Sequence, residues 1–152
     1  MSDSFAAIEF ETLVLMRQLA PTRRHEDGRP HLERSAYTLL TRLSRQGPMS
    51  IGQLSEAFGL DTSTLNRQTA AMMRQGLVER IPDPDGGLAR KFVPSAAGLA
   101  QLEAERQLNV SGVRRVLEAW NAEDVAHLAE LLRRFNLDIE ARDGRPWPRP
   151  AD

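Results

Sequence analysis

Apolar residues recur at intervals of three and four along most of this chain, which is the spacing of one face of an α-helix. The pattern predicts helices within residues 5–19, 32–46, 51–58, 95–120 and 125–139. Pro21 ends the first helix, and Gly47 with Pro48 ends the second, because these residues interrupt helices. Residues 20–31 between them are charged and contain two prolines and a glycine, so they are predicted to form a loop. The chain is therefore predicted to be mainly α-helical.

Two short helices joined by a tight turn are predicted at the centre of the chain. Ser50 and Gln53 have the spacing of a capping box that begins the first helix. Gly59 takes a left-handed helix end without steric cost, and Asp61 is a suitable N-cap for the second helix. Residues 50–76 are therefore a predicted helix-turn-helix. Such units place their second helix in the major groove of DNA, with its N-terminal residues at the base edges.

A β-hairpin is predicted directly after this unit, at residues 77–94. Residues 77–81 and 90–93 have the β-branched content of short strands, and the Pro-Asp-Gly-Gly sequence between them favours a turn. A hairpin behind a helix-turn-helix is a wing. The predicted fold is mainly α with a small β-hairpin wing, in one domain of residues 1–152 whose winged helix-turn-helix spans residues 32–94.

The flanking helices are predicted to form a dimerisation region, at residues 5–31 and 95–141. The last helix has the apolar spacing of helices that pack along one another, at Val125, Leu128, Leu132, Phe135 and Ile139. This face is either an ordinary core within one chain or a homodimer interface. We favour the homodimer, because the first helix is also widely apolar and few other elements are left to cover it. Residues 142–152 carry three prolines and are predicted to be an extended tail.

Composition excludes several classes of function. The chain has no cysteine, which excludes disulfides, thiolate metal sites and thiol nucleophiles. It also lacks a phosphate-binding glycine loop, a helical HExxH and a nucleophile elbow, so neither an enzyme nor a cofactor is predicted. No signal region and no membrane-length apolar stretch is present, which predicts a cytoplasmic protein without a membrane partner. The net charge is −1, whereas residues 31–94 carry a net charge of +2. The middle of the chain therefore has a weak electrostatic preference for nucleic acid.

Four short sequence motifs accompany this order of elements. They are Gly47-Pro48-Met49-Ser50 before the motif, residues 75–80 (QGLVER) after it, Asp83-Pro84-Asp85 in the wing, and Ser95-Ala96-Ala97-Gly98 at the start of the long helix. Together they resemble the MarR family of bacterial winged-helix transcriptional regulators. The resemblance implies intertwined terminal helices in a homodimer, a recognition helix in the major groove and a wing tip at the minor groove. It further implies a repressor that binds a pseudo-palindromic operator in double-stranded DNA and is released by a small aromatic or anionic effector.

Candidate DNA contacts lie at the start of the recognition helix and in the wing. They are Thr62, Ser63, Thr64, Asn66, Arg67 and Arg90. Arg67 is the first choice for a guanine edge or a phosphate, because its planar guanidinium suits both. The alternative is that the small polar residues only make a soluble first turn and that Arg90 is a solvated charge. The resemblance implies that Leu65, Thr69 and Met72 lie on the inward face of the recognition helix.

Three places depart from the family pattern. Gln68 stands where an inward aliphatic residue is common, and Ala71 stands where a basic residue is frequent. The wing tip reads Gly86, Gly87 and Leu88 where the family usually carries an Asp-Arg pair. We therefore expect a weaker wing contact and more recognition through the helix. The altered wing and weak net charge also suit a competing function, a winged-helix module that binds protein and not specific DNA.

The remaining conspicuous side chains leave alternatives open. Trp120 and Trp147 either pack within their own subunit or, for Trp147, reach the partner subunit or a ligand pocket. His25, His31 and His127 have no second ligand at suitable spacing, so no metal site is predicted. The loop cations are either solvated or meet an anionic effector, and they are Arg23, Arg24, His25 and Arg29.

Overall fold

The computed structural model describes residues 3–19 and 31–149. Its elements are α1 (Ser4–Gln18), α2 (Arg34–Gln46), α3 (Ile51–Phe58), α4 (Thr62–Arg74), β1 (Val78–Ile81), β2 (Lys91–Pro94), α5 (Ala96–Val116) and α6 (Ala122–Asp143). The fold is mainly α with one small antiparallel hairpin, which confirms the predicted class. Residues 20–30, with the four loop cations, and residues 150–152 of the predicted tail lie outside the described residues.

The first helix, α1, belongs to a compact unit of its own, Met1–Arg34. The carboxylate of Asp3 caps this helix by accepting a hydrogen bond from the backbone N–H of Phe5 at 3.0 Å. No residue of α1 is buried. Its exposed apolar side chains are Phe5, Ile8, Phe10, Leu13, Leu15 and Met16. The helix therefore presents apolar surface that the described chain leaves uncovered.

The hydrophobic core lies in the second unit, Ser35–Asp152, among α2, α3, α4 and the hairpin. Its buried apolar side chains are Ala36, Leu39, Leu40, Leu43, Met49, Leu54, Leu65, Met72, Leu77, Val78 and Phe92. Leu40, Leu54 and Leu65 are fully buried, one from each helix. Burial of each such leucine contributes on the order of 2 kcal/mol relative to exposure. The helix-turn-helix therefore rests on a packed base.

The hairpin aligns Val78 with Pro94 and Ile81 with Lys91. Its edge is extended by Met49, which exchanges backbone hydrogen bonds with Phe92 at 2.8 and 3.3 Å. This pairing ties the segment between α2 and α3 to the wing. Nothing in the sequence pattern indicated it, because a single extended residue has no periodicity.

The start of α5 is joined closely to the end of the recognition helix. The hydroxyl of Ser95 accepts a hydrogen bond from the N–H of Gly98 at 2.9 Å and donates one to the carbonyl oxygen of Gly76 at 2.5 Å. The backbone N–H of Ser95 donates to the carbonyl oxygen of Leu77 at 3.0 Å. A Cβ on Gly98 would overlap that same carbonyl oxygen. Only glycine therefore allows α5 to approach this closely.

The two C-terminal helices bury almost nothing within the described chain. α5 runs unbroken through Ser111 and Gly112, although glycine has a low helix propensity. Asn121 caps α6 by accepting a hydrogen bond from the N–H of Asp124 at 2.8 Å. α6 has no buried residue, and its exposed apolar side chains include Leu131, Leu132, Phe135, Leu137 and Ile139. In the described residues, no helix combines the length and apolar character needed to cross a bilayer.

Candidate nucleic-acid interface

The turn of the helix-turn-helix is held by local hydrogen bonds. Ser50 and Gln53 form the predicted capping box, with bonds of 2.9 and 3.2 Å. Gly59 ends α3 in the left-handed region at φ 62°, as predicted. The hydroxyl of Ser55 donates to the carbonyl oxygen of Leu60 at 2.5 Å, which fixes the next residue of the turn. Asp61 occupies the N-cap position of α4, as predicted, although its side chain makes no capping hydrogen bond.

The recognition helix, α4, divides into an inner and an outer face. Leu65, Thr69 and Met72 are buried, as the family pattern implied. The hydroxyl of Thr69 donates to the carbonyl oxygen of Leu65 at 2.8 Å, which satisfies its buried polar group. The candidate contacts on the outer face, all exposed, are Thr62, Ser63, Asn66 and Arg67. Thr64 is half-buried.

The two unusual positions of α4 lie at the border between these faces. Gln68 and Ala71 are both half-buried. Within the described part of the chain the Gln68 side chain has no hydrogen-bond partner. At this border the amide reaches water, which explains why a polar residue is accepted where an aliphatic one is usual.

The wing is closed by an ion pair between its two arms. The Lys91 ammonium lies 3.2 Å from the Asp83 carboxylate, and both side chains are almost buried. Asp83 also accepts a hydrogen bond from the backbone N–H of Asp85 at 2.9 Å. That bond, together with Lys91, holds the pKa of the Asp83 carboxyl below its ordinary value. A Cβ on Gly87 would overlap the same carboxylate, so a side chain there would displace Asp83 from its present position.

The wing tip presents an apolar side chain and a nearby cation. Leu88 is completely exposed. Arg90 is exposed too, and it precedes β2 and is not part of it, because the strand begins at Lys91. The predicted second strand was thus one residue too early. Arg90 therefore lies in the turn, outside the paired residues of the strands.

A C-terminal segment, residues 144–149, folds back on the helix-turn-helix. Gly144 ends α6 in the left-handed region at φ 66°. Beyond it, the Glu140 carboxylate accepts hydrogen bonds from the backbone N–H of Trp147 at 3.0 Å and from the Arg149 guanidinium at 2.7 Å. The bonds from Arg149 are the main cause that lowers the pKa of Glu140 from 4.5 to about 2. The pair therefore stabilises the fold above pH 4.5 and loses this contribution as the pH falls toward 2.

The Trp147 ring packs within its own subunit, which is one of the alternatives left by the sequence. Its centroid lies 5.5 Å from that of Phe58 in α3, with an edge-to-face angle of 77°. The Arg42 guanidinium of α2 lies 5.2 Å from the same ring. Arg42 is 6% exposed, donates to Gln46 at 2.6 Å, and has one buried nitrogen without a hydrogen-bond partner in the described residues. Its burial lowers the pKa of the guanidinium, and the charge of Glu140 opposes that shift.

Comparison with known proteins identifies the family. A family model described as the MarR family matches residues 32–86. The uncharacterized HTH-type transcriptional regulator YxaD of Bacillus subtilis (strain 168) is 34% identical over 129 residues, which cover 85% of this chain and 90% of that protein. This chain belongs to the MarR family. The resemblance to this family, which was inferred from short sequence motifs, is confirmed.

Solved MarR-family structures share this fold. A MarR family protein from Bacillus stearothermophilus superposes with a TM-score of 0.69 at 20% identity, covering 91% of this chain and 99% of the other. A mutant MarR from E. coli, complexed with operator DNA, superposes with a TM-score of 0.54 at 21% identity, covering 68% and 75%. The match to the MarR family model ends before the C-terminal segment, so the contacts of Trp147 lie outside it.

Proposed function

We propose that this MarR-family regulator is a repressor that binds a pseudo-palindromic operator as a homodimer in the bacterial cytoplasm. The main support for the proposal is the set of exposed polar side chains on the outer face of α4. There Asn66 and Arg67 are exposed one turn from the N-terminus of the helix, and Arg67 makes no hydrogen bond or ion pair within the described residues. Polar groups held on a rigid helix with their bonding capacity unused are suited to base edges and phosphates.

The packing behind α4 supports this assignment. Leu65 and Met72 anchor the helix to the core, and α3 is fixed to it through the Gly59 turn. An anchored helix that presents its polar side to solvent can enter a groove without rearrangement. The E. coli relative with the same fold was solved with operator DNA. We infer the same target for this chain, with Thr62, Ser63, Thr64, Asn66, Arg67 and Arg90 as the contacting residues.

The exposed apolar surface supports the homodimer. Val113, Val116 and Trp120 are 53, 78 and 49% exposed in and after α5. Phe135 and Ile139 are 47 and 42% exposed in α6. Contiguous apolar surface of this kind marks an interaction site, since monomeric proteins rarely carry it. A second copy of the same chain offers the same surfaces in return, as a two-fold interface requires.

Footprinting on the promoter regions beside the gene tests the proposal. We expect two symmetric protected half-sites with centres about one helical turn, roughly 10 bp, apart. Affinity should fall steeply with salt, because phosphate contacts release counterions. Salt-insensitive binding to a protein, without symmetric protection of DNA, would instead support the alternative of an interaction module.

Replacing Arg67 by alanine should weaken operator binding. We expect a loss of about 1 to 3 kcal/mol, because a bidentate contact to a base disappears. A shift assay at fixed salt measures it. Arg74→Ala is the matched control, since Arg74 is exposed near the opposite end of the same helix, about 10 Å along its axis. Equal losses from the two variants would show that Arg67 acts only through its charge.

We further propose that a small aromatic or anionic effector releases the operator. An open groove of about 460 Å³ between α2 and α6 is its candidate site. Arg45 and Asn136 supply polar groups to this groove, and Trp147 supplies an aromatic wall. A panel of aromatic carboxylates and the matching uncharged alcohols, added to the shift assay, tests release. If every compound leaves the operator bound, this part of the proposal is wrong.

A further inference from the structure

We propose that the C-terminal segment, residues 144–149, positions the helix-turn-helix relative to α6, with Trp147 as the central positioning residue. The proposal also predicts an effect on the preferred spacing of operator half-sites, and that effect rests on the proposed function. The segment lies outside the part of the chain that the MarR family model matches.

One side of the segment is fixed to α6. The Glu140 carboxylate accepts hydrogen bonds from both the Trp147 backbone and the Arg149 guanidinium, and Arg149 also donates to the carbonyl oxygen of Trp147 at 3.3 Å. The backbone N–H of Arg145 donates to the Glu140 carbonyl oxygen at 3.3 Å. One residue of α6 thus holds the segment at three points. The backbone of the segment therefore cannot leave α6 without breaking charged hydrogen bonds.

The other side of the segment is fixed to the helix-turn-helix. Trp147 contacts Phe58, the last residue of α3, and lies against Arg42 of α2. The Arg145 guanidinium lies against Gly59, so close that a Cβ on Gly59 would be 2.7 Å from its central carbon. The segment therefore contacts the helix that precedes the recognition helix and the turn between them.

These contacts matter because α6 itself has no buried residue. A helix that buries nothing is a weak support for the domain beside it. The buried Arg42, with one unpartnered nitrogen, also depends on the Trp147 ring for a compensating interaction. Removal of the ring admits water to this guanidinium and takes away the contact with Phe58. The helix-turn-helix would then be free to move relative to α6.

A two-fold dimer that reads two half-sites requires its two recognition helices at a fixed separation. If α6 belongs to the dimer interface, the C-terminal segment helps to set that separation. A protein held in the binding geometry before it meets DNA avoids the free-energy cost of ordering itself. Trp147 therefore contributes to affinity and to the preferred spacing of half-sites without contacting DNA.

Operator binding by Trp147→Ala tests the inference. We expect an affinity about 10-fold lower than that of the native protein, because the competent orientation is less populated. We also expect a smaller penalty for a 1-bp insertion between the half-sites. The salt dependence should be unchanged, since no phosphate contact is lost. Trp147→Phe keeps an aromatic ring beside Phe58 and should restore much of both properties.

Amide hydrogen exchange measures the same restraint without DNA. In Trp147→Ala, residues 51–61 should exchange about fivefold faster, because local opening becomes easier. Trp120→Ala removes the only other tryptophan, which lies between α5 and α6, and should leave exchange in residues 51–61 unchanged.

The inference is overturned if Trp147→Ala keeps native exchange in residues 51–61. It is also overturned if the variant loses affinity equally for the native and the 1-bp-longer operator, which is the pattern of a merely structural role. Absence of salt-sensitive operator binding by the native protein is a different result. It would reject the proposed function, while the exchange measurement would still decide whether Trp147 holds the helix-turn-helix.

Discussion

Phe135→Glu is expected to convert the homodimer into monomers and to lower operator affinity by about 100-fold or more. Phe135 is 47% exposed in the described chain, on the apolar face of α6. A glutamate there would leave the protomer's own core intact but place an unpaired charge in the proposed interface, which is strongly unfavourable. Separate monomers lose the advantage of binding two half-sites at once, which is on the order of 10²-fold to 10⁴-fold. Sedimentation velocity and a shift assay measure the two effects.

Ala126→Glu is the matched control for this variant. Ala126 is exposed in α6, and nine residues advance a helix by about two and a half turns, so it faces away from Phe135. The control adds the same charge and should remain a dimer. A Phe135→Glu protein that sediments as a dimer would contradict the assignment of α6 to the interface, whatever its affinity for DNA.

Gly98→Ala is expected to destabilise the folded protein by about 3 kcal/mol, near the upper end of the cost of overpacking. The new methyl group would overlap the carbonyl oxygen of Leu77 and lie 2.9 Å from its carbonyl carbon. Neither is a flexible side-chain atom, so relief requires movement of α5 away from the hairpin. That movement would also strain the hydrogen bonds of Ser95. Urea unfolding followed by circular dichroism measures the change.

Gly112→Ala is the control, because it makes the same substitution in the same helix. A Cβ at Gly112 meets no atom of the described chain within 4 Å. Alanine favours a helix over glycine by about 1 kcal/mol, so this variant should be more stable than the native protein. If both substitutions stabilise the protein, the close approach at Gly98 does not constrain α5.

Local signals in the sequence predicted the helix-turn-helix well. The capping box of Ser50 and Gln53 and the left-handed Gly59 occur as expected, because each depends on atoms only a few residues apart. The resemblance to the MarR family implied that Leu65, Thr69 and Met72 face inward, and all three are buried. The apolar pattern likewise predicted α6.

Contacts between distant parts of the chain could not be predicted in the same way. Trp147 and Arg42 are about a hundred positions apart, and no local pattern links them. The three prolines of the tail indicated an extended segment but not the surface on which it lies. Met49 pairs with Phe92 for a similar reason, since a single bridging residue leaves no repeating signal. α5 is also continuous at Gly112, although glycine has a low helix propensity.

The ion pair of Asp83 and Lys91 limits the space that is available to residues at the wing tip. Asp83 needs the space that a side chain at position 87 would take, and this explains one departure from the family's usual wing. The sequence revealed the departure but not its cause, because the pairing of Asp83 with Lys91 appears only once the arms are folded together. The positions of the candidate DNA contacts are known, while their roles remain predictions for the experiments above.

The ion pair inside the wing also determines which chemical probes suit this protein. Lys91 is the only lysine in the sequence, and its side chain is 11% exposed and bound to Asp83. Reagents that acylate amines therefore find no readily accessible lysine side chain. Arg67 and Arg90 are exposed guanidinium groups. Modification by an arginine-directed dicarbonyl, read by mass spectrometry with and without operator, would map the DNA-facing surface and leave the wing's internal ammonium untouched.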